Sequence, residues 1–205
     1  MSLKDNYPQI ITTIPNDLKM FSIEGIDGGG KSTQAKAVVA RLIALQYSAV
    51  YATNPSDTEL GRFLRANLKN LPPWQRVTLF LLDMIDVLKT NSDAKKIIIW
   101  DRYIDSTIVS NKELDPKEAA RWVESLPLPN LTFFLDIKPE NVLANRSDSL
   151  HDHSQDIEWQ QLKQRRYQEL ISATPERFVV INAELSIESI TEIILEKIIS
   201  RLKEA

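Results

Sequence analysis

Apolar residues recur along the chain in two alternating rhythms. Short, mostly apolar runs (Phe21-Ser22-Ile23, Ala49-Val50-Tyr51-Ala52, Ile97-Ile98-Ile99-Trp100, Leu131-Thr132-Phe133-Phe134-Leu135 and Phe178-Val179-Val180-Ile181) have the length and residue types of buried strands. Between them the spacing is helical: Ala35, Val38, Val39, Leu42 and Ile43 fall at i, i+3, i+4, i+7 and i+8. Thr58 to Leu68, Trp74 to Leu88, Pro116 to Ser125, Pro139 to Asn145 and Trp159 to Ile171 read as further helices, the second entered through Pro72-Pro73. A closing helix carries Ile187, Ile190, Ile194, Ile198 and Leu202 on one side. Strands that are apolar on both faces belong in a sheet covered on both sides, hence a parallel one. Their alternation with helices predicts an α/β fold, a three-layer arrangement of five parallel strands flanked by helices. Ligands of such sheets bind at the carboxyl ends of the strands.

No repeat and no Pro/Gly/Ser linker divides the 205 residues, which fit one domain. Residues 1–18, polar with Pro8 and Pro15, read as an N-terminal extension, and 19–205 as the folded domain. With 25 Lys+Arg against 28 Asp+Glu the net charge is −3, which argues against a nucleic-acid-binding protein, since that needs a basic footprint. The absence of cysteine removes disulfides, thiolate catalysis and Cys-based zinc sites. No apolar run approaches the ~18 residues of a membrane span, and the first residues show no signal-peptide core, so a soluble cytoplasmic protein is expected.

Glycine use changes the picture. The chain has five glycines, and Gly25, Gly28, Gly29 and Gly30 lie within six residues. The stretch Gly25-Ile26-Asp27-Gly28-Gly29-Gly30-Lys31-Ser32 satisfies G-x-x-x-x-G-K-[ST] at every fixed position, between a strand and an amphipathic helix. A triphosphate is a dense anion, so main-chain amides must converge on it without obstruction by side chains. Lys31 can then reach the β and γ phosphates, and the Ser32 hydroxyl can ligate Mg²⁺. Asp101, at the end of an apolar strand, stands where a nucleotide-bound Mg²⁺ is held in proteins of this kind.

The run Phe21-Ser22-Ile23-Glu24-Gly25-Ile26-Asp27-Gly28-Gly29-Gly30-Lys31-Ser32-Thr33-Gln34 resembles the opening of the thymidylate kinase family. Asp101-Arg102-Tyr103 with Asp105-Ser106, the segment Leu135-Asp136-Ile137-Lys138-Pro139-Glu140 and the closing stretch from Pro175 to Ile194 are similar to that family in the same order. The resemblance implies a P-loop kinase with a small lid at about 145–157. It implies ATP as donor, Mg²⁺ as cofactor and a pyrimidine nucleoside monophosphate, most simply dTMP, as acceptor. It further implies a homodimer. Carried over by position, Gly25 to Thr33 and Arg146 bind ATP. Lys31, Arg102 and Asp27 are the catalytic group. Phe80, Arg65, Arg102 and Asn111 bind the acceptor, and Ser32 and Asp101 the metal.

The chain departs from the family on the acceptor side. Met84 follows Phe80 where the family commonly has an arginine for the acceptor phosphate, Thr53-Asn54-Pro55 replaces a charged triplet, and Ser110-Asn111 replaces a Tyr-Gln pair. If Met84 marks a lost cation, restoring arginine there is expected to tighten the acceptor. The lid carries Arg146 with acids, serines and two histidines, fewer cations than the phosphate loop's small residues would call for. Two alternatives stay open on the sequence: a nucleotide-binding protein with weak or no transfer, and a kinase of the same fold with another acceptor.

Overall fold

The computed structural model describes residues 14–15, 17–111, 115–144 and 157–204. Five strands, β1 (Lys19–Glu24), β2 (Ala49–Thr53), β3 (Ile97–Asp101), β4 (Leu131–Asp136) and β5 (Phe178–Asn182), form one sheet in the order β2-β3-β1-β4-β5, every pair parallel. The helices are α1 (Lys31–Ala44), α2 (Glu59–Asn67), α3 (Pro73–Thr90), α4 (Ile104–Val109), α5 (Pro116–Val123), α6 (Pro139–Ala144), α7 (Ile157–Ala173) and α8 (Ile187–Glu204). The expected fold class holds, and the expected elements appear in order with ends shifted by a residue or two, as frayed ends commonly are; α4 is an additional helix.

The strands divide their side chains between the two faces of the sheet with the period of two that pleating imposes, and Phe134 and Phe178 of β4 and β5 join a third cluster with Val109 and Tyr167. Ile97 and Ile99 join Phe21, Ile23, Val38, Leu42, Phe133, Ile194 and Ile198 beneath α1 and α8. Ile98 and Trp100 join Met20, Met84, Leu88, Tyr103 and Ile108 beneath α3. Ile14 and Leu18 are buried in this second core, so it reaches back into residues assigned on sequence to the extension.

Register places the site. Ile23 of β1 lies beside Asp101 of β3, and Thr53 of β2 flanks Asp101 on the other side. The three strands therefore release Gly25, Asn54 and Arg102 at one edge. Thr58 caps α2 by accepting from the Gly61 amide at 3.1 Å.

Candidate active site at the carboxyl edge of the sheet

The glycines perform the expected backbone work. Gly25, Gly28 and Gly30 have φ of 147°, 83° and 85°, a region costly to residues with a Cβ. A Cβ on Gly25 would meet the Leu135 carbonyl oxygen at 2.8 Å, so this turn also needs close approach to β4. No side chain caps α1, and its first turn holds no acidic residue, which leaves a helix N-terminus suited to an anion. Lys31 opens that helix, is buried, and donates from Nζ to the Ile26 carbonyl. Burial and the nearby Arg102 charge lower its pKa to about 7, while Asp27, Asp101 and Glu24 act the other way.

Ser32 and Asp101 meet as expected. Ser32 Oγ and Tyr51 OH both donate to Asp101 Oδ2, the latter at 3.0 Å. Burial and the same carboxylate push the Tyr51 phenol up to about 12, so it stays a donor. Asp101 Oδ1 is buried and has no hydrogen-bond partner among the described residues. An orphaned carboxylate oxygen beside a serine hydroxyl is a hard-oxygen donor set that fits Mg²⁺.

Asp27 is the hub of the loop. Its Oδ1 accepts from Arg102, and its Oδ2 accepts from Lys163 Nζ and from Gln160 Nε2, the amide at 3.1 Å. The Asp27 amide returns a bond to Gln160 Oε1, also 3.1 Å. Burial raises the Asp27 pKa, but Arg102, Lys163 and Lys31 outweigh it and hold the carboxyl far below the ordinary range. Arg102 adopts φ 69° while its own amide bonds the Ile23 carbonyl at 3.2 Å, which turns the chain from β3 back toward the loop. Beneath it, fully buried Glu24 accepts from the Tyr103 amide at 2.8 Å, from Tyr167 OH at 3.0 Å and from Ser106 Oγ. Burial and the charge of Asp105 raise Glu24 to about 7.

Gln160 and Lys163 escaped the reading of the sequence. They lie three residues apart on one face of α7, the only local signal they give. That this face meets Asp27, 133 and 136 residues away, follows from the fold alone.

The side expected to take the acceptor is assembled differently. Asp83 on α3 is fully buried and accepts from the Asn54 amide group at 3.0 Å, the Ser56 backbone N–H at 2.7 Å, Ser56 Oγ and Thr58 Oγ1. It thereby fastens the loop after β2. Gly61 fits beneath that loop because a Cβ there would lie 2.1 Å from the Ser56 carbonyl oxygen. Phe80 is half-buried against the α3 core and its carbonyl accepts from Asn54 at 3.3 Å. Arg65 is exposed and donates to the Pro55 carbonyl and to Asp57, both at 2.8 Å. Asn111 is buried, with its carbonyl accepting from Arg166 at 2.6 Å. Met84, one turn after Phe80 on the same face of α3, has no exposure and sits in the core against which Phe80 packs, so an arginine there would start from a buried position. Arg146 and nearly all of the expected lid lie outside the described residues.

A parallel sheet, a phosphate loop opening an uncapped helix, and a serine–aspartate pair with one orphan oxygen define a P-loop nucleotide-binding protein of the kinase type. A profile of the thymidylate kinase family matches residues 23–194. The chain belongs to the thymidylate kinase family. It is 30% identical over 190 residues to a thymidylate kinase of Bifidobacterium longum, covering 82% of this chain and 91% of that protein. A probable thymidylate kinase of Sulfurisphaera tokodaii is 30% identical over 191 residues, covering 90% and 98%. A thymidylate kinase of an Exiguobacterium species is 28% identical over 202 residues, covering 90% and 95%.

Proposed function

We propose that this protein transfers the γ-phosphoryl group of ATP to dTMP, giving ADP and dTDP. The observation that carries the reading is the cluster of Lys31, Arg102 and Asp27 at the phosphate loop, within a chain matched to the family along residues 23–194. The bond between the γ-phosphorus and its bridging oxygen breaks, with the electron pair passing to ADP. A phosphate oxygen of dTMP forms the new bond. That oxygen is already anionic, so no general base is required. The protein's task is positioning and charge neutralisation. Gly25 to Thr33 hold the donor phosphates, Lys31 faces the β and γ groups, and Arg102 neutralises charge from the β3 side. Ser32 and Asp101 would hold Mg²⁺, which would supply positive charge to offset that of the phosphates. Phe80, Arg65 and Arg102 serve the acceptor, with Asn111 as a further contributor, and Arg146 serves ATP.

Exposed apolar residues on α2 and α3, Phe63, Trp74 and Leu82, support a homodimer. The net charge of −3 supports free nucleotides over nucleic acid as ligands. No helix among the described residues is long and apolar enough to cross a membrane, and free nucleotides as substrates support action in the cytoplasm.

The test is ADP release from ATP across a panel of nucleoside monophosphates and nucleosides. dTMP should stimulate release most, and Lys31→Met should lower kcat by ~10²–10³, the loss typical of one preorganised charge-stabilising donor. Failure of every acceptor to stimulate release would refute the reading.

A further inference from the structure

We infer that Tyr51 of β2 is a positioning residue for the proposed metal site: its hydroxyl fixes the Asp101 carboxylate so that one oxygen is left to a divalent cation. It rests on the kinase reading above and deepens it. Pleating puts residues 51 and 53 of β2 and residues 99 and 101 of β3 on one face of the sheet, the face beneath α1. Tyr51 lies beside Ile99, and Asp101 stands two residues further along the neighbouring strand. A diagonal of this kind is within reach of an aromatic side chain. The phenol spans it, and Tyr51 OH donates to Asp101 Oδ2 at 3.0 Å. An apolar residue would serve the packing at this half-buried position; the hydroxyl serves Asp101.

An aspartate does not hold its own carboxylate plane. Rotation about χ2 is broad and roughly two-fold, so the surroundings decide which oxygen points where. Among the described residues, the hydrogen bonds of the Asp101 side chain come from Ser32 Oγ and Tyr51 OH, and both land on Oδ2. Oδ1 is buried and accepts none. A buried carboxylate oxygen without a donor is costly, and a bound cation would complete it. The charges of Lys31 and Arg102 act on Asp101 through space, but hydrogen bonds, with their short range and direction, decide which oxygen is taken. The two donors are not equivalent. Ser32 is itself assigned to the metal, whereas Tyr51 acts only through Asp101. As a neutral donor, Tyr51 orients the carboxylate without bringing a positive charge that would compete with the cation. Helix α1 supports the same arrangement. Ser32 and Lys36 lie four residues apart on one face, and Lys36 Nζ lies 5.6 Å from the centre of the Tyr51 ring. One helix face thus meets both the carboxylate and the ring that aims it.

The experiment titrates Mn²⁺, as a paramagnetic stand-in for Mg²⁺, into the complex of the full chain with a non-hydrolysable ATP analogue, protein in excess, and counts free Mn²⁺ by electron paramagnetic resonance. Tyr51→Phe keeps the ring and its packing and removes one hydroxyl. Its complex should hold Mn²⁺ about tenfold more weakly than the unaltered one, the usual loss when the partner of a metal ligand is removed. Binding of the same analogue in EDTA should stay within about twofold, because the loop amides and Lys31 are untouched. Tyr51→Leu, which also lacks the donor, should match Tyr51→Phe and carries the test if that variant does not fold. Where transfer occurs, the Mg²⁺ concentration giving half the maximal rate should rise by a similar factor while KM for dTMP stays within about twofold. dTMP-stimulated ADP release by the unaltered protein is measured separately; its absence refutes the kinase reading, while the metal titration needs no transfer and still decides the role of Tyr51. An Mn²⁺ affinity within about twofold of the unaltered complex in a folded variant would overturn the inference. So would a loss of metal-free nucleotide binding as large as the loss of Mn²⁺, which would make Tyr51 a strut between β2 and α1 and no more. Mn²⁺ held by the unaltered complex no more tightly than by the free analogue would overturn it too, and with it the assignment of Asp101 to the metal.

Discussion

The proposed donor and acceptor sides of this site lie at one edge of one sheet, yet they are made in different ways. The donor side is a single continuous stretch from Glu24 to Gln34 with Asp101-Arg102 beside it, and its shape is carried by main-chain dihedrals at Gly25, Gly28 and Gly30. The acceptor side is a loop after β2 whose position depends on one buried carboxylate, Asp83, reached from a different helix. A phosphate chain can be recognised by backbone amides, so its cradle is a local device. A loop held by four donors on one side chain is a device of the tertiary structure, and a single substitution at its centre should release it.

The largest break in this comparison is expected at Met84. By resemblance the position belongs to the acceptor; by geometry it belongs to the core with Ile98, Trp100 and Leu88. Met84→Arg would bury a guanidinium without a partner, a change worth about 3 kcal/mol or more of stability. Urea unfolding should show that loss, and dTMP KM should not fall. A variant of unchanged stability with a lower dTMP KM would return Met84 to the acceptor side.

A sharper cut follows at Asp83. Asp83→Ala removes the acceptor shared by Asn54, both donors of Ser56, and Thr58. Leaving buried donors unpaired costs about 1–3 kcal/mol each, part of which water recovers when the loop moves outward. dTMP KM should rise about tenfold or more while KM for ATP stays within about twofold. If both constants rise together, the two sides are one mechanical unit and the contrast drawn here is wrong.

The same contrast explains what the sequence disclosed. Element order, the parallel sheet and the glycine loop were legible because each is written in a short window: period two, period 3.6, or fixed spacing. Asp101 was legible because it ends an apolar strand, and register then places it opposite Ile23. Gln160 and Lys163 were not, because a glutamine and a lysine on a polar helix look like solvated surface until the helix is docked. Asp83 was hidden within an apolar stretch of α3, where nothing local says that a carboxylate will meet Asn54 and Ser56.

The smallest expected effect tests the donor side at Lys31. Its ammonium is buried beside Arg102, and these two influences lower its pKa to about 7. The folded protein therefore binds fewer protons than the unfolded chain between about pH 7 and the ordinary lysine value near 10.5. The Lys31 contribution to folding consequently becomes more favourable as pH rises through that window. Nucleotide binding has the opposite sign. Triphosphate oxygens beside Nζ favour the charged form, so at pH 8 a Lys31 that is mostly neutral must take up a proton when ATP binds. Titration calorimetry at pH 8 in two buffers of different ionisation enthalpy should reveal an uptake approaching one proton per nucleotide, shrinking toward zero near pH 6 and absent in Lys31→Met. Apparent ATP affinity should weaken correspondingly as pH rises above 7. If heats agree between buffers at pH 8, the ammonium is charged before the nucleotide arrives. Asp27, Asp101 and Glu24 would then outweigh burial, and the donor cradle would be preorganised in charge as fully as it is in backbone.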